Sequence, residues 1–163
     1  NNDRNLFFLT NEGTGLINWE LPKKKASKIL NRKVYGNYIS CSPNGKYISF
    51  FQKNKNGKGR VDLCLWNLKK KTVRVLLSNI LTVETCYPAW SKKSRFLAII
   101  VSSNQDGILV YDVLKNIVFD VVYKTGKIKW INWTYPKSII FSYKKGLFTR
   151  PYLVRFVSWF AIY

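Results

Sequence analysis

Short apolar runs alternate with polar turn sequences along most of this chain. In the clearest case, residues 41–51, Pro43-Asn44-Gly45 separates two runs rich in aromatic and β-branched side chains. Pro presets the φ angle at the first turn position, and Asn and Gly tolerate the positive φ that follows. This stretch therefore predicts a β-hairpin.

The hairpin sequence recurs. The residues that start at Cys41 have counterparts that start at Trp90, 49 residues later, and at Trp133, 43 residues after that. A second element, an apolar run followed by an aromatic residue and then Glu, Asn or Asp, keeps a similar spacing at Trp19-Glu20, Trp66-Asn67 and Tyr111-Asp112. Two elements that share one spacing are hard to produce by chance. A period in the forties built from short strands is typical of propeller blades.

The repeats predict an all-β chain, a β-propeller of about three to four blades, each with four antiparallel strands. They divide the chain into a partial blade, two complete blades and a second partial blade, at 6–31, 37–78, 86–123 and 129–146. Residues 147–163 are expected to form an irregular apolar tail or to continue the last blade, with Pro151 interrupting any strand there. Because closed propellers need about four to eight blades, we expect an incomplete ring. The chain lacks an initial Met, so we expect a fragment of a longer or processed chain.

Four stretches resemble known propeller repeats. Ser-Pro-Asn-Gly-Lys-Tyr-Ile-Ser-Phe at 42–50 resembles the turn-and-strand motif of TolB-like propellers, and Tyr-Pro-Ala-Trp-Ser at 87–91 resembles the strand that precedes it. Trp66-Asn67 and Tyr111-Asp112 resemble the Trp-Asp position of the wider WD-repeat class. The chain departs from the pattern at 69–71, where Lys-Lys-Lys stands in a hairpin that usually contains Gly. The resemblance implies a propeller architecture and, for a TolB-like protein, a periplasmic role in the cell envelope.

Several kinds of catalytic chemistry are excluded by composition. The chain has no histidine, which removes His-dependent acid–base catalysis, Ser-His and Cys-His nucleophiles, and most zinc sites. It also lacks the phosphate-loop, nucleophile-elbow and dinucleotide-binding motifs. Its eight carboxylates form no local metal-binding cluster, and those of Glu20 and Asp112 are expected to make structural hydrogen bonds. We therefore expect no catalytic residue, no metal site and no cofactor, and a protein that is not an enzyme.

The three cysteines lie far apart, with no Cys-x-x-Cys pair. A disulfide framework would need an even and denser set, so a reducing compartment such as the cytoplasm is favoured over the periplasm that a TolB-like role implies. Cys41 occupies the position that Trp90 and Trp133 hold in the other repeats. It is expected to be a small buried residue rather than a ligand.

The net charge is +20, from 28 basic and 8 acidic residues. Such a charge favours acidic partners, of which nucleic acid and anionic membrane surfaces are the usual ones, although a Lys-, Asn- and Ile-rich genome would also produce it. In a propeller blade the first and third turns share one edge. That edge would collect a set of basic residues: Lys23, Lys24, Lys25, Lys46, Lys69, Lys70, Lys71, Lys92, Lys93 and Arg95. They would contact phosphates or an acidic partner, or they would only keep the chain soluble.

The favoured hypothesis is a non-enzymatic scaffold for protein–protein interaction within a larger assembly. One alternative is an RNA- or ribosome-associated propeller of the translation-initiation type that uses the basic edge. Two others are a TolB-like periplasmic cell-envelope protein and the propeller portion of a peptidase. The chain has no apolar run of about 18 residues, so no transmembrane segment is expected. Further blades or association with another chain would be needed to close the ring.

Overall fold

The structure is a computed structural model, and it describes most of the chain in ten segments: 5–9, 15–20, 23–30, 34–57, 59–81, 87–102, 106–124, 127–135, 138–145 and 148–155. These residues contain fourteen β-strands and no helix. All strand pairs are antiparallel. The all-β fold class predicted from the sequence is confirmed.

The strands form four sheets, each of which follows the chain from one strand to the next. The first sheet contains β1 (Asn5–Leu9), β2 (Leu16–Glu20) and β3 (Lys25–Leu30). The second contains β4 (Val34–Cys41), β5 (Tyr47–Lys53), β6 (Val61–Asn67) and β7 (Thr72–Ile80). The third contains β8 (Ala89–Trp90), β9 (Phe96–Ser102), β10 (Asp106–Asp112) and β11 (Ile117–Lys124). The fourth contains β12 (Lys127–Tyr135), β13 (Ser138–Lys145) and β14 (Phe148–Arg155).

The hydrophobic core lies between successive sheets. Ile48, Phe50 and Cys64 pack between the first and second sheets, whereas Phe51 and Leu63 pack between the second and third. Successive side chains of a strand point to opposite faces, so the central strands of the second and third sheets are covered on both sides. This arrangement explains the unbroken burial of β6 and the continuous apolar sequence of β9.

Pro151 corrects one expectation from the sequence. It lies within β14, paired with Ser142 of β13, and does not interrupt the strand. In the described part of the chain β14 is the edge strand of its sheet, and Pro151 is exposed. Proline is tolerated there because one side of an edge strand has no ladder of hydrogen bonds to lose. Residues 156–163, the rest of the predicted apolar tail, lie outside the described residues.

Candidate functional site

Two backbone hydrogen bonds bring the first and third turns of a sheet to the same edge. In the second sheet, Leu68 donates its N–H to the carbonyl oxygen of Lys46 at 3.0 Å. In the third sheet, Val113 donates to the carbonyl oxygen of Arg95 at 2.9 Å. We call the exposed lysines on these turns the basic turn edge: Lys46, Lys69, Lys70, Lys71, Lys92 and Lys93. The predicted residues Lys23, Lys24 and Lys25 are also exposed, in the corresponding turn between β2 and β3.

The first turn of each complete sheet has a rigid geometry. In the second sheet, Gly45 donates its N–H to Ser42 O at 2.8 Å, with a φ of 67°. Ser94 repeats that bond with Ser91 O in the third sheet, at a φ of 58°. The two turns are joined directly, because Asn44 N donates to the Ser94 hydroxyl oxygen at 2.9 Å. This bond therefore sets the spacing between the backbones of the two turns, beside which the lysines lie.

The third turns share a left-handed residue at one position. The φ angle is 49° at Lys24, 54° at Lys71 and 60° at Asn116, and these residues are separated by 47 and 45 positions, which is the spacing of the repeat. Asn and Gly are the residues that tolerate this conformation best, and a residue such as Lys is strained there by about 1–2 kcal/mol. Two of the three turns therefore carry a lysine at a position where Asn or Gly would be under less strain.

Arg95 differs from the other predicted site residues. Its guanidinium donates from Nε and Nη2 to Asp112 Oδ2, at 3.0 and 2.8 Å, and its side chain is only 38% exposed. Asp112 Oδ1 accepts from the backbone N–H groups of Leu114 and Lys115 at 3.0 and 3.1 Å. Arg95 therefore ties the first turn to the third turn, and Asp112 has the structural role expected from its position in the repeat.

The pKa of the Asp112 carboxyl reflects two opposing causes. Burial alone would raise it, but the hydrogen bonds and charge of Arg95, together with the backbone donors, outweigh burial and hold the pKa below its ordinary value. The same contact raises the pKa of Arg95. The pair is thus ionised at neutral pH and contributes no free charge to the edge.

Two further carboxylates were missed by sequence reasoning, and both lie at the opposite edge, where strands β6 and β10 begin. Asp62 Oδ1 accepts hydrogen bonds from Asn54 Nδ2, Ser78 Oγ and Asn79 N, at 2.6, 2.8 and 3.0 Å. Burial acts to raise its pKa, but these donors lower it below the ordinary value. A signal was available in the sequence, because Asp62 and Asp106 lie 44 residues apart, within the range of the repeat spacing.

Asp106 connects the third sheet to the fourth. Its Oδ1 accepts from Ser102 Oγ at 2.9 Å, and its Oδ2 accepts from the backbone N–H of Ile128 at 2.9 Å. Asp62, Asp106 and Asp112 are 8%, 2% and 1% exposed. Among the side chains that the structure describes, the carboxylates are therefore buried and hydrogen-bonded, and the exposed charge is positive.

Two indole groups join the sheets by the same kind of hydrogen bond. Trp90 Nε1 donates to Ser40 O at 3.1 Å, from the third sheet to the second. Trp133 Nε1 donates to Ala89 O at 2.9 Å, from the fourth sheet to the third. Both acceptors lie one residue before the equivalent of the donor in the preceding repeat. The first strands of these three sheets, β4, β8 and β12, are therefore neighbours, and we call them the inner strands.

Cys41, at the position equivalent to Trp90 and Trp133, corrects a second expectation. It is exposed rather than buried. The surrounding chain still removes part of the thiol from water, and this burial raises the pKa of Cys41. Because the tryptophans reach the inner strand of the preceding sheet, Cys41 would reach toward the first sheet, in which β1 is an edge strand.

Within the described residues, no group of three or more His, Cys, Asp or Glu side chains could hold a metal ion. In the same part of the chain, no helix is long and apolar enough to cross a membrane.

Comparison with known proteins identifies the fold. No family model and no curated protein sequence matches this chain. Among solved structures, it is similar to TolB from Acinetobacter baumannii (TM-score 0.69, 16% identity, 94% of this chain and 39% of that one). It is also similar to a putative TolB from Agrobacterium tumefaciens (TM-score 0.71, 16% identity, 93% and 58%) and to the tricorn protease (TM-score 0.68, 15% identity, 93% and 16%). The chain spans less than two thirds of the length of each. The resemblance to TolB-like propeller repeats is confirmed as a likeness in fold, and the four sheets form an incomplete propeller.

Proposed function

We propose that this TolB-like propeller segment is a non-enzymatic scaffold that binds an acidic surface of a protein partner through the basic turn edge. The observation that carries the proposal is the separation of charge in the described residues. Six exposed lysines lie on hydrogen-bonded turns at one edge of the second and third sheets, while the described carboxylates are buried. Among the side chains that the structure describes, a partner that approaches this edge meets exposed lysines and no exposed carboxylate.

The rigidity of the turns favours binding over mere solubility. The bond between Asn44 N and Ser94 Oγ joins the turns of two sheets, and the Trp90 indole fixes the strands beneath them. Preorganised groups lose less conformational entropy when a partner binds. Charges arranged to complement a partner also accelerate association and select against basic partners.

The structural neighbours do not distinguish among the candidate functions, because one fold supports many functions. Besides TolB and the tricorn protease they include oligogalacturonate lyases and a dipeptidyl peptidase. A role in the cell envelope and a role as the propeller of a peptidase both stay compatible with this fold. A scaffold is the function that needs only what the described residues provide, namely fixed blades and a charged edge.

The test compares two double variants that each remove two positive charges. Lys69→Gln/Lys70→Gln changes the basic turn edge, and Lys53→Gln/Lys55→Gln changes exposed lysines at the opposite edge. The probe is a fluorescein-labelled poly-glutamate peptide at low salt, followed by fluorescence anisotropy. We expect the turn-edge variant to bind roughly fivefold more weakly or worse and the opposite-edge variant to bind almost as the parent does. Equal losses would show attraction by net charge alone and would contradict the proposal.

A second candidate function, association with RNA, is favoured by the positive charge of the described surface. Lysines at fixed spacing contact phosphates without reading sequence. Duplex RNA serves as the probe in the same assay. If it binds more tightly than poly-glutamate, and Lys69→Gln/Lys70→Gln lowers the slope of log affinity against log salt by about two, the RNA-associated function replaces the protein scaffold.

A further inference from the structure

Aromatic residues recur at one position of the three inner strands. Tyr38 lies in β4, Tyr87 lies two residues before β8, and Trp130 lies in β12. Each stands three residues before the equivalent positions Cys41, Trp90 and Trp133. We call Tyr38, Tyr87 and Trp130 the aromatic arc. The repeat thus places one aromatic ring per sheet at the same level of the inner strands.

The two indole hydrogen bonds show that the sequence equivalence holds in three dimensions. Trp90 reaches Ser40 O and Trp133 reaches Ala89 O by the same step from one inner strand to the one before it. The three inner strands therefore follow one another by the same step. Tyr38 and Tyr87 meet directly, with ring centroids 4.6 Å apart and the rings at 76°.

Two of the three rings of the aromatic arc are far more exposed than a packing role requires, whereas Tyr38 is half-buried. Tyr87 is 57% exposed and Trp130 is 45% exposed, whereas Trp90, which joins two sheets, is 8% exposed. Large rings that are left in water form platforms on which planar groups stack. A ligand that reaches both Tyr87 and Trp130 meets one such platform beside the third sheet and another on the fourth.

The exposed charges that the structure describes near the arc are positive. Lys127 and Lys129, on the same strand as Trp130, are both exposed. The carboxylates of the described residues are buried and paired with donors. Exposed rings with lysines beside them suit a polymer that carries planar groups along a negatively charged backbone.

We propose that the aromatic arc binds single-stranded nucleic acid. Bases stack on Tyr87 and Trp130, and phosphates lie near Lys127 and Lys129. Stacking of this kind tolerates any base, because every base has a flat face, and the cations track the backbone. A duplex is a poor ligand for this site, because its bases already stack on one another. The proposal concerns a different surface from the basic turn edge and does not depend on the proposed function.

The test uses the whole chain and a fluorescein-labelled oligo(U), followed by fluorescence anisotropy. We expect Tyr87→Ala and Trp130→Ala each to weaken binding about tenfold. Tyr87→Phe and Trp130→Phe keep a flat ring and should bind nearly as the parent does. Lys129→Gln should lower the slope of log affinity against log salt by about one. The matched control is Leu114→Ala, which removes another large exposed side chain away from the arc.

Three results would overturn the proposal. One is equal affinity for oligo(U) and for a duplex of the same length. Another is unchanged binding in Tyr87→Ala and Trp130→Ala while Lys69→Gln/Lys70→Gln weakens it, which would assign the oligonucleotide to the basic turn edge. The third is equally weak binding in Leu114→Ala, which would show a general effect on the fold. Far-UV circular dichroism of each variant checks that the strands are retained.

Discussion

The indole N–H of Trp90, on the third sheet, donates a hydrogen bond to the hydroxyl oxygen of Ser49, on the second sheet, at 3.2 Å. Ser49 is fully buried, and its small side chain leaves room for the large ring. The next sheet boundary repeats this choice of sizes, since Ala98 holds the position of Ser49 and Trp133 holds that of Trp90. Contact between blades thus depends on a small residue that faces a large one.

Replacing Trp90 with Phe tests this contact. The indole N–H also reaches Ser40 O, which keeps the Ser49 hydroxyl as a second donor, so the variant leaves the buried Ser49 hydroxyl oxygen without its indole donor. A loss of this kind costs about 1–3 kcal/mol, and we expect the free energy of unfolding in urea to fall by that amount. Trp130→Phe, at an exposed inner-strand position, should change it by less than about 0.5 kcal/mol. Similar losses in the two variants would contradict the structural role of the Trp90 hydrogen bonds.

The first sheet boundary reverses the sizes, and this explains one failure of sequence reasoning. Phe7 pairs with Asn18 in the register that Ser49 keeps with Leu65, so the large residue lies on the first sheet and the small one, Cys41, on the second. The exchange involves Phe7 and Cys41, which are 34 positions apart. Their places in the repeat can be recognised only after the strands have been aligned. A sequence repeat marks Cys41 as an exception but does not show that its side chain is exposed.

Replacing Lys71 with Gly tests the strain at the left-handed position of the third turn. Gly relieves about 1–2 kcal/mol of strain but loses about 0.5–1 kcal/mol through the greater freedom of the unfolded chain. We expect a net gain of roughly 0.5 kcal/mol in the free energy of unfolding. Lys70→Gly removes the same charge one residue earlier, at a position without positive φ, and should destabilise. If both variants destabilise equally, Lys71 is not strained.

Much of the fold could be predicted because the hairpin turns carry their own signals. Pro43-Asn44-Gly45 sets a turn locally, and its copies set the period of the blades. The basic turn edge followed from the same reasoning, since its lysines belong to those turns. The carboxylates were harder, because Asp62 of β6 accepts hydrogen bonds from two residues of β7 and from Asn54, which directly follows β5, and Asp106 reaches the next sheet. The aromatic arc was also missed, because Tyr38 and Tyr87 meet only when the inner strands lie side by side.

Acid should weaken the fold through Asp62 and Asp112. Hydrogen bonds hold the pKa of each carboxyl below its ordinary value in the folded chain, despite burial, which acts in the opposite direction. Their stabilising effect is therefore complete above the unfolded pKa of about 3.9 and is lost as the pH falls through the lower folded values. We expect the urea midpoint to fall steeply below about pH 4.

The variants Asp62→Asn and Asp112→Asn provide the comparison for this pH dependence. Each variant lacks one ionised carboxylate, so its free energy of unfolding at pH 7 should be lower than that of the parent. Because it also lacks one titrating group, this free energy should change less between pH 5 and pH 3, a window around the ordinary carboxyl pKa of about 3.9. Asn also retains part of the acceptor capacity and most of the shape of Asp. If the variants follow the pH dependence of the parent, the loss of stability in acid comes from other groups.

The reactivity of cysteine separates the exposed Cys41 from Cys64, which is fully buried. Iodoacetamide should alkylate Cys41 in the native chain and Cys64 only after unfolding in urea, as checked by peptide mass spectrometry. Because burial raises the pKa of Cys41, less thiolate is present at a given pH than in free cysteine. Alkylation should therefore be slower than that of free cysteine at pH 8 and should rise about tenfold per pH unit below the pKa. Native Cys64 that reacts as fast as Cys41 would contradict the packing between the first and second sheets.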